Sequence, residues 1–495
     1  MPNFLRKLQE SRETFSFDDV LILPRRSIVL PAATNVQSRF SRTIVLKVPF
    51  VSSPMDTVTG HKLAIAIACE GGIGVIHRNQ RINDEAEEIA RVKRYQSGTI
   101  VKPYTLKPTD TIERARALMR EKNISGILII QENGTLAGIL TKRDIQFGVP
   151  DDGQICGAMT KRKKLITAPA GTDWKVAQAI LAQHHIEKLP IVDGDFQLVG
   201  LITRKDIEKR RQFPNATQDD KGRLRVAGAV GATGDFLERA ASLVEAGADA
   251  LVVDSSHGHS ENVLSAVLAL KKMRNTVDVV AGNIASAVAS VALICSGADG
   301  LRVGIGPGSI CTTRIVTGCG VPQMSAIAAV ADAARDTDKE CPVIADGGIR
   351  YSGDVVKALA VGADCVMIGS LFAGTDESPG DVKSHRGWKY KVYRGMGSEA
   401  VLKEGGDRYG AKAVAEGVEG RVPYRGPFSE VLRELEGGLR QGMGYAGAST
   451  ISDLHVFAEL VRVTHSGLME SHPHDIEIMD EPSNYRRFGQ QASAD

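Results

Sequence analysis

The chain has 495 residues, with 61 Lys and Arg against 59 Asp and Glu and a formal net charge of +2. An apolar fraction of 43% is that of an ordinary globular protein, and the length suits two or three domains or one large domain with an insertion. The balanced charge gives no electrostatic reason to expect a specific nucleic-acid partner or an anionic membrane surface, and the short basic run at 161–164 reads as a solvated face.

The opening segment, MPNFLRKLQESRETFSFDD, lacks an apolar stretch of signal-peptide length, and no run long enough to span a bilayer follows. A cytoplasmic protein without membrane contact is expected. Seven cysteines are scattered without a C-x-x-C pair, which argues against a disulfide framework or a zinc site. Cys69, Cys295 and Cys365 lie in apolar context and are expected to be inert core; Cys311 does not.

Two short apolar runs come first, PFVSS (49–53) and IGVIH (73–77). A repeat follows: NISGILIIQENGTLAGILTKRDI (123–145) matches HIEKLPIVDGDFQLVGLITRKDI (185–207) at a constant offset of 62. Each copy reads as helix, strand, turn, strand, helix, and two copies make a paired module and not a solenoid. The pattern resembles a CBS pair (Bateman domain). Thr141 with Asp144, and Thr203 with Asp206, sit at equivalent ends of the two copies. Each pair can bracket the phosphate and ribose of a purine nucleotide, as in other CBS pairs, or simply cap the helix that follows.

Six more apolar runs succeed the repeat, VAGAV (226–230), ALVVD (250–254), VVAGN (279–283), GLRVG (300–304), PVIAD (342–346) and CVMIG (365–369), alternating with Ala-rich, helix-length stretches. Near-continuous apolar strands separated by helices predict a parallel sheet covered on both faces, and eight of them an α/β fold of the (β/α)8 TIM-barrel type. Gly-Ala-Asp precedes three of the runs, at Gly247, Gly297 and Gly362, where glycine suits a helix C-cap. The expected organisation is a barrel formed by 1–95 and 214–495, with 96–213 inserted as the paired module (repeats about 102–149 and 160–212). After the eighth strand, a segment from about 377 to 427 rich in Gly, Lys, Arg and Glu is expected to be a mobile flap, centred on about 398–426, or else a disordered linker.

In such a barrel, chemistry belongs at the C-terminal ends of the strands. Those ends carry Ser53, His77, Asp254-Ser255-Ser256, Asn283, the loop GIGPGSICTTR (304–314), Asp346-Gly347-Gly348 and Gly369-Ser370. The DGGI and IGS turns after strands seven and eight offer bare backbone N–H groups to a phosphate. Asp254, Asp346 and Asn283 can accept from or donate to ribose hydroxyls, or cap the next helix. Gly304, Gly306 and Gly308 let the backbone approach a ligand or a monovalent cation closely. Cys311, at the end of that loop, is a candidate nucleophile.

FSFDDVLILP, SSPMDTVT, GGIGVIHRN, GIGPGSICTTR, IADGGI, YRGMGS and ESHPHD, in this order, resemble the inosine-5′-monophosphate dehydrogenase family over nearly the whole chain. The resemblance implies oxidation of IMP to XMP with NAD+, the committed step towards guanine nucleotides, a potassium ion, and a homotetramer or octamer. It implies that Cys311 attacks C2 of the hypoxanthine, that Ser309, Gly348, Gly369, Ser370 and Tyr393 hold the phosphate of IMP, and that Ser53 also binds IMP. Asp346 would take the ribose, and Met396, Gly397 and Glu416 would face the base. NAD+ falls to Asp254, Ser255, Ser256, Asn283, Arg302 and Gly304. Potassium falls to the carbonyls of Gly306, Gly308 and Cys311, with Glu470, Ser471 and His472 of a neighbouring subunit. Arg408 and Tyr409 match the family's water-activating pair, and Thr313 with Glu416 its alternative proton path. Cys319, where valine is usual, the GSEAV segment (397–401) and a short flap after Tyr409 depart from the family's commonest form. Two rival readings remain: a GMP reductase using NADPH, and a non-enzymatic nucleotide sensor built on the CBS pair.

Overall fold

The computed structural model describes residues 11–95, 100, 103–273, 276–405, 414–479 and 482–485. The chain forms two compact units, one from Arg94–Pro214 with Gln218–Arg223, the other from the remainder.

The larger unit is a closed barrel of eight parallel strands, β1 (Phe50–Ser52), β2 (Ile73–Ile76), β3 (Val226–Val230), β4 (Ala250–Asp254), β5 (Asp278–Ile284), β6 (Gly300–Val303), β7 (Val343–Asp346) and β8 (Cys365–Ile368). All eight coincide with apolar runs in the sequence. Although the whole second unit separates β2 from β3 in sequence, Gly74, Val75 and Ile76 pair in register with Val226, Ala227 and Gly228. Val51, Val75, Ala227, Ala229, Val252, Val280, Ile344 and Met367 fill the interior, all buried.

The N-terminal end of the barrel is closed by a hairpin that the sequence did not announce, Ser38–Arg39 with Val45–Leu46. Its Phe40, Ile44 and Leu46 are fully buried in the barrel core. The Ser41 and Thr43 hydroxyls donate to the Asp278 carboxylate at 2.6 and 2.8 Å.

The three Gly-Ala-Asp tripeptides do more at this end than cap helices. Gly247, Gly297 and Gly362 have φ of +104°, +99° and +109°, the left-handed conformation that ends a helix. The aspartate two residues on then clasps the strand before it. Asp249 donates its N–H to the Val226 carbonyl and accepts the Val226 N–H at 2.9 Å; Asp299 and Asp364 treat Val279 and Val343 in the same way. The Asp249 carboxylate also meets Lys93 Nζ at 2.8 Å, and Asp299 meets Lys271 at 2.8 Å.

In the smaller unit the 62-residue offset governs structure as well as sequence. Helix Ile112–Glu121 recurs as Trp174–Gln183, and the antiparallel pair Gly126–Ile130 with Leu136–Thr141 recurs as Lys188–Val192 with Leu198–Thr203. The β-bulge at Ile129/Ile130 returns at Ile191/Val192, and the left-handed Asn123 (φ +50°) returns as His185 (φ +50°). The copies diverge only at their ends. Arg204–Gln212 is an α-helix, but the equivalent segment of the first copy stops as a single 3-10 turn, Lys142–Ile145, ahead of Gly148 and Pro150.

The described parts of the segment expected as a mobile flap or linker carry regular structure. Lys383–His385, Trp388–Arg394 and Glu419–Pro423 form a three-stranded antiparallel sheet, with helix Glu399–Gly405 in the connection. Alternation explains the central strand: Lys391 and Tyr393 point inward and are buried, and Lys391 satisfies its ammonium on the Thr375 and Ser378 carbonyls at 2.9 and 2.7 Å. No helix among the described residues is long and apolar enough to cross a membrane.

Asp249→Ala leaves the Lys93 ammonium, 4% exposed, without its carboxylate. It should destabilise the protein by about 3–5 kcal/mol, and the double variant Asp249→Ala/Lys93→Met should recover part of that loss in urea denaturation.

Candidate active site

At the C-terminal ends of the barrel strands lies a cavity of about 500 Å³. Its deepest charged group is Arg302 on β6, only 7% exposed. The guanidinium donates to Asp254 Oδ1 at 2.6 Å and to Asp346 Oδ2 at 2.9 Å. Burial disfavours the charge, but the two carboxylates more than offset it and raise the Arg302 pKa. Asn283 Nδ2 donates to the same Asp346 oxygen and to the Gly304 carbonyl, each at 2.8 Å. Asp254, Asp346 and Asn283 therefore cap no helix: they and Arg302 brace the ends of β4 to β7 against one another. Arg78, which the sequence reading passed over, lies 3.9 Å from the other Asp254 oxygen and lines the cavity. Its signal was its position, one residue past the β2 run. Gln323 was also missed. It is 3% exposed, and its amide donates to the Val303 and Asp346 carbonyls.

The loop after β6 must turn away from this brace at once. Gly304 has φ +149°, and a Cβ there would lie 2.1 Å from the Asp346 carbonyl oxygen, so no side chain is admissible. The loop then delivers Cys311, whose thiol donates to Thr313 Oγ1 at 3.2 Å; Thr313 in turn donates to Glu416 Oε2 at 2.9 Å. A proton leaving the thiol thus has a hydrogen-bonded route to a carboxylate. Backbone bonds fix this geometry: Thr312 N–H to the Glu416 carbonyl (3.2 Å), Val418 N–H to the Ile310 carbonyl (3.0 Å), and Glu416 N–H to the Gly397 carbonyl (3.0 Å). Met396 and Gly397 line the cavity beside them.

Gly347-Gly348 after β7 and Gly369-Ser370 after β8 also line the cavity. A Cβ on Gly369 would sit 2.5 Å from Tyr393 Oη, so the bare glycine makes room for the phenol. Tyr393 is 5% exposed, bonds to Ser309 and lies 3.6 Å from Met55 Sδ. Burial, then the charges of Asp346 and Cys311, push its pKa far above the usual phenol range, so it remains a neutral donor.

Ser53, Ser255, Ser256, Gly306, Gly308 and Ser309 also line the cavity. The Gly308 carbonyl already accepts the Cys311 N–H at 3.1 Å and keeps its second lone pair. Glu470, Ser471 and His472 lie apart from this loop. Ser471 bonds back to Gly467, and His472 packs against Tyr351 and bonds Tyr485 Oη at 2.9 Å. Among the described residues no group of three or more His, Cys, Asp or Glu could hold a metal ion. Arg408 and Tyr409 lie outside the described residues.

In the smaller unit, the Thr141 hydroxyl donates to Asp144 at 2.8 Å and the Thr203 hydroxyl to Asp206 at 2.5 Å, each pair forming a reciprocal capping box. The capping function anticipated for these residues is thus present in both copies. Cys69 and Cys365 are buried, but Cys295 is exposed at the end of its helix. The helix AVASVALIC is apolar but for Ser290, so composition alone did not reveal its solvent face.

Residues 14–474 match the family model described as IMP dehydrogenase / GMP reductase domain. The chain belongs to this family. It is 54% identical over 489 residues to an inosine-5′-monophosphate dehydrogenase of Thermoplasma acidophilum, covering 98% of this chain and 99% of the relative. It is 51% identical over 482 residues to that of Aquifex aeolicus, covering 96% and 98%. Among solved structures, a cysteine-to-alanine variant of GMP reductase from Trypanosoma brucei in complex with guanosine 5′-monophosphate superposes with a TM-score of 0.88 at 39% identity, covering 95% of this chain and all of that one.

The cysteines of this family member should separate cleanly by reactivity. Burial pushes the Cys341 thiol up to about 12 and that of Cys365 well above the normal range, whereas Cys295 and Cys319 are exposed. Iodoacetamide at pH 8 followed by peptide mass spectrometry should label Cys295 and Cys319 and leave Cys69, Cys341 and Cys365 unmodified in the folded protein.

Proposed function

We propose that the protein oxidises IMP to XMP with NAD+ and water, through a covalent intermediate on Cys311. The observation that carries this reading is the Cys311–Thr313–Glu416 chain of hydrogen bonds, lining one cavity with two glycine turns suited to a phosphate. The relatives named inosine-5′-monophosphate dehydrogenase, at 51% and 54% identity, favour the dehydrogenase over the reductase, whose solved structures match at 36–39%.

The chemistry follows from the arrangement. The phosphate of IMP lies on the N–H groups of Gly348, Gly369 and Ser370, with Ser309 and the neutral Tyr393 as donors and Ser53 nearby. Asp346, held by Arg302 and Asn283, accepts from the ribose hydroxyls. Met396, Gly397 and Glu416 bound the base. Cys311 Sγ bonds to C2 as its proton passes through Thr313 to Glu416, and C2 becomes tetrahedral. When bound along Asp254, Ser255, Ser256, Asn283, Arg302 and Gly304, NAD+ supplies the acceptor for the hydride that leaves C2. A thioimidate remains on Cys311. Water then adds to C2, the C–S bond breaks, and the thiolate departs as XMP forms. The proton from that water goes to Arg408, which takes it in its neutral form, with Thr313 and Glu416 as a second route.

The loop carbonyls of Gly306, Gly308 and Cys311 suit K+, a weakly held monovalent cation. Glu470, Ser471 and His472 complete that site from another copy, in a homotetramer or octamer. The paired module binds purine nucleotides near Thr141, Asp144, Thr203 and Asp206. The protein acts in the cytoplasm, in the committed step of guanine nucleotide synthesis.

A second reading, NADPH-dependent GMP reduction, is favoured by the superposition on GMP reductase and by a thiol relay that serves either reaction. Absorbance at 340 nm separates them. Growth of reduced dinucleotide with IMP and NAD+ supports the dehydrogenase, and loss of NADPH with GMP the reductase. No change with either pair leaves only a nucleotide sensor.

Cys311→Ala should abolish NADH formation, including the first turnover. Arg408→Ala should release about one NADH per site and then stall, with the steady-state rate down ~10²–10⁴-fold and an XMP-derived adduct on Cys311 in intact-mass spectra. An Arg408→Ala burst slowed as much as the steady state would remove Arg408 from the hydrolytic step. Replacing K+ by Li+ or Na+ should lower turnover well below the potassium rate, and equal rates in all three salts would dispose of the cation.

A further inference from the structure

The N-terminal segment 15–22 is stitched over the same end of the barrel as the cavity. The Phe15 N–H donates to Ser325 Oγ at 2.8 Å, and the Ser325 N–H returns to the Phe15 carbonyl at 3.3 Å. Asp19 caps the turn Phe17–Asp19 by accepting from the Ser16 N–H and hydroxyl at 2.6 and 2.7 Å. Beyond β7, Lys357 Nζ donates to the Phe17 carbonyl at 2.8 Å and Arg350 pairs with Asp18. Strand Val20–Ile22 then pairs antiparallel with Leu460–Arg462.

All these ties fix one side chain. Phe17 is 3% exposed, and its ring edge lies against Gly348: a Cβ there would be 3.1 Å from Phe17 Cε2 and 3.5 Å from Pro307 Cβ. A Cβ on Gly347 would likewise be 3.1 Å from Pro307 Cγ. The turn, with φ of +90° and +86°, therefore packs against both Phe17 and Pro307 of the Cys311 loop. A two-glycine turn has little intrinsic stiffness and must take its shape from its neighbours.

We propose that Phe17 is a positioning residue for the phosphate end of the site, holding the Gly347–Gly348 turn against Pro307 so that the Gly348 N–H is preset for the anion, the Gly347 N–H being taken by the Met367 carbonyl. This rests on the phosphate assignment of the preceding subsection. It makes a segment more than 300 residues away in sequence part of nucleotide recognition.

The test is selectivity between ligands with and without a phosphate. In Phe17→Ala, the Kd for IMP and the inhibition constant for inorganic phosphate should both rise roughly tenfold, while that for inosine stays within about twofold. Phe17→Leu, which keeps most of the apolar volume, should show the same selectivity at smaller size and decides the matter if the alanine variant does not fold. Equal weakening of all three ligands, or unchanged phosphate and IMP binding, overturns the proposal. A wild-type protein that binds neither IMP nor phosphate overturns the functional reading instead.

Discussion

One buried guanidinium sets the geometry of the catalytic end. Arg302 sits where water is excluded and stays charged because two carboxylates from other strands close on it, at 2.6 and 2.9 Å. Neither carboxylate could be buried without the arginine, and the arginine could not be buried with only one of them so well satisfied. Because the partners end β4 and β7, and Asn283 ends β5, four consecutive strand ends are fixed by one charge centre. The loops inherit that rigidity. Gly304 starts under Asn283, and Gln323, which opens the helix after the Cys311 loop, donates to the Asp346 carbonyl. Both ends of the Cys311 loop are thus tied to the same brace.

The opposite end of the barrel is built on another principle. There the aspartates of the Gly-Ala-Asp repeats bond backbone of the preceding strands, and a small hairpin fills the mouth with Phe40, Ile44 and Leu46. The Asp249, Asp299 and Asp364 carboxylates at this end are taken up by strand N–H groups. At the catalytic end, Cys311, Asp254 and the glycine turns face open space. The division between a stabilising face and a reactive face is that expected of a parallel barrel.

The strands were legible because a parallel barrel buries both faces of each, which leaves an uninterrupted apolar run in sequence. The repeat was legible because its 62-residue spacing carries helix, hairpin and bulge together. Other features depended on contacts between distant residues. Asp254 and Asp346 look alike as helix caps until Arg302, 48 and 44 residues away, is seen between them. The 388–394 strand escaped notice because its inward positions include a lysine, whose burial depends on two carbonyls 13 and 16 residues upstream. The hairpin at 38–46 has strands of two residues, too short for any period. Cys295 misled because its helix is apolar but for Ser290, which is itself buried. In the candidate site, the residues were identifiable by motif, but the Cys311–Thr313–Glu416 order and the neutral state of Tyr393 required the fold.

The separation of Thr313 from Glu416, 103 residues, has a consequence for the growing chain. At ribosomal speeds of about 5–20 residues per second, the thiol emerges roughly 5–20 s before the carboxylate that completes its proton route. The two backbone bonds from 416 and 418 that fix its loop arrive equally late. A nascent chain therefore carries Cys311 without the hydrogen-bonded route to Glu416 and without the backbone bonds that orient its loop.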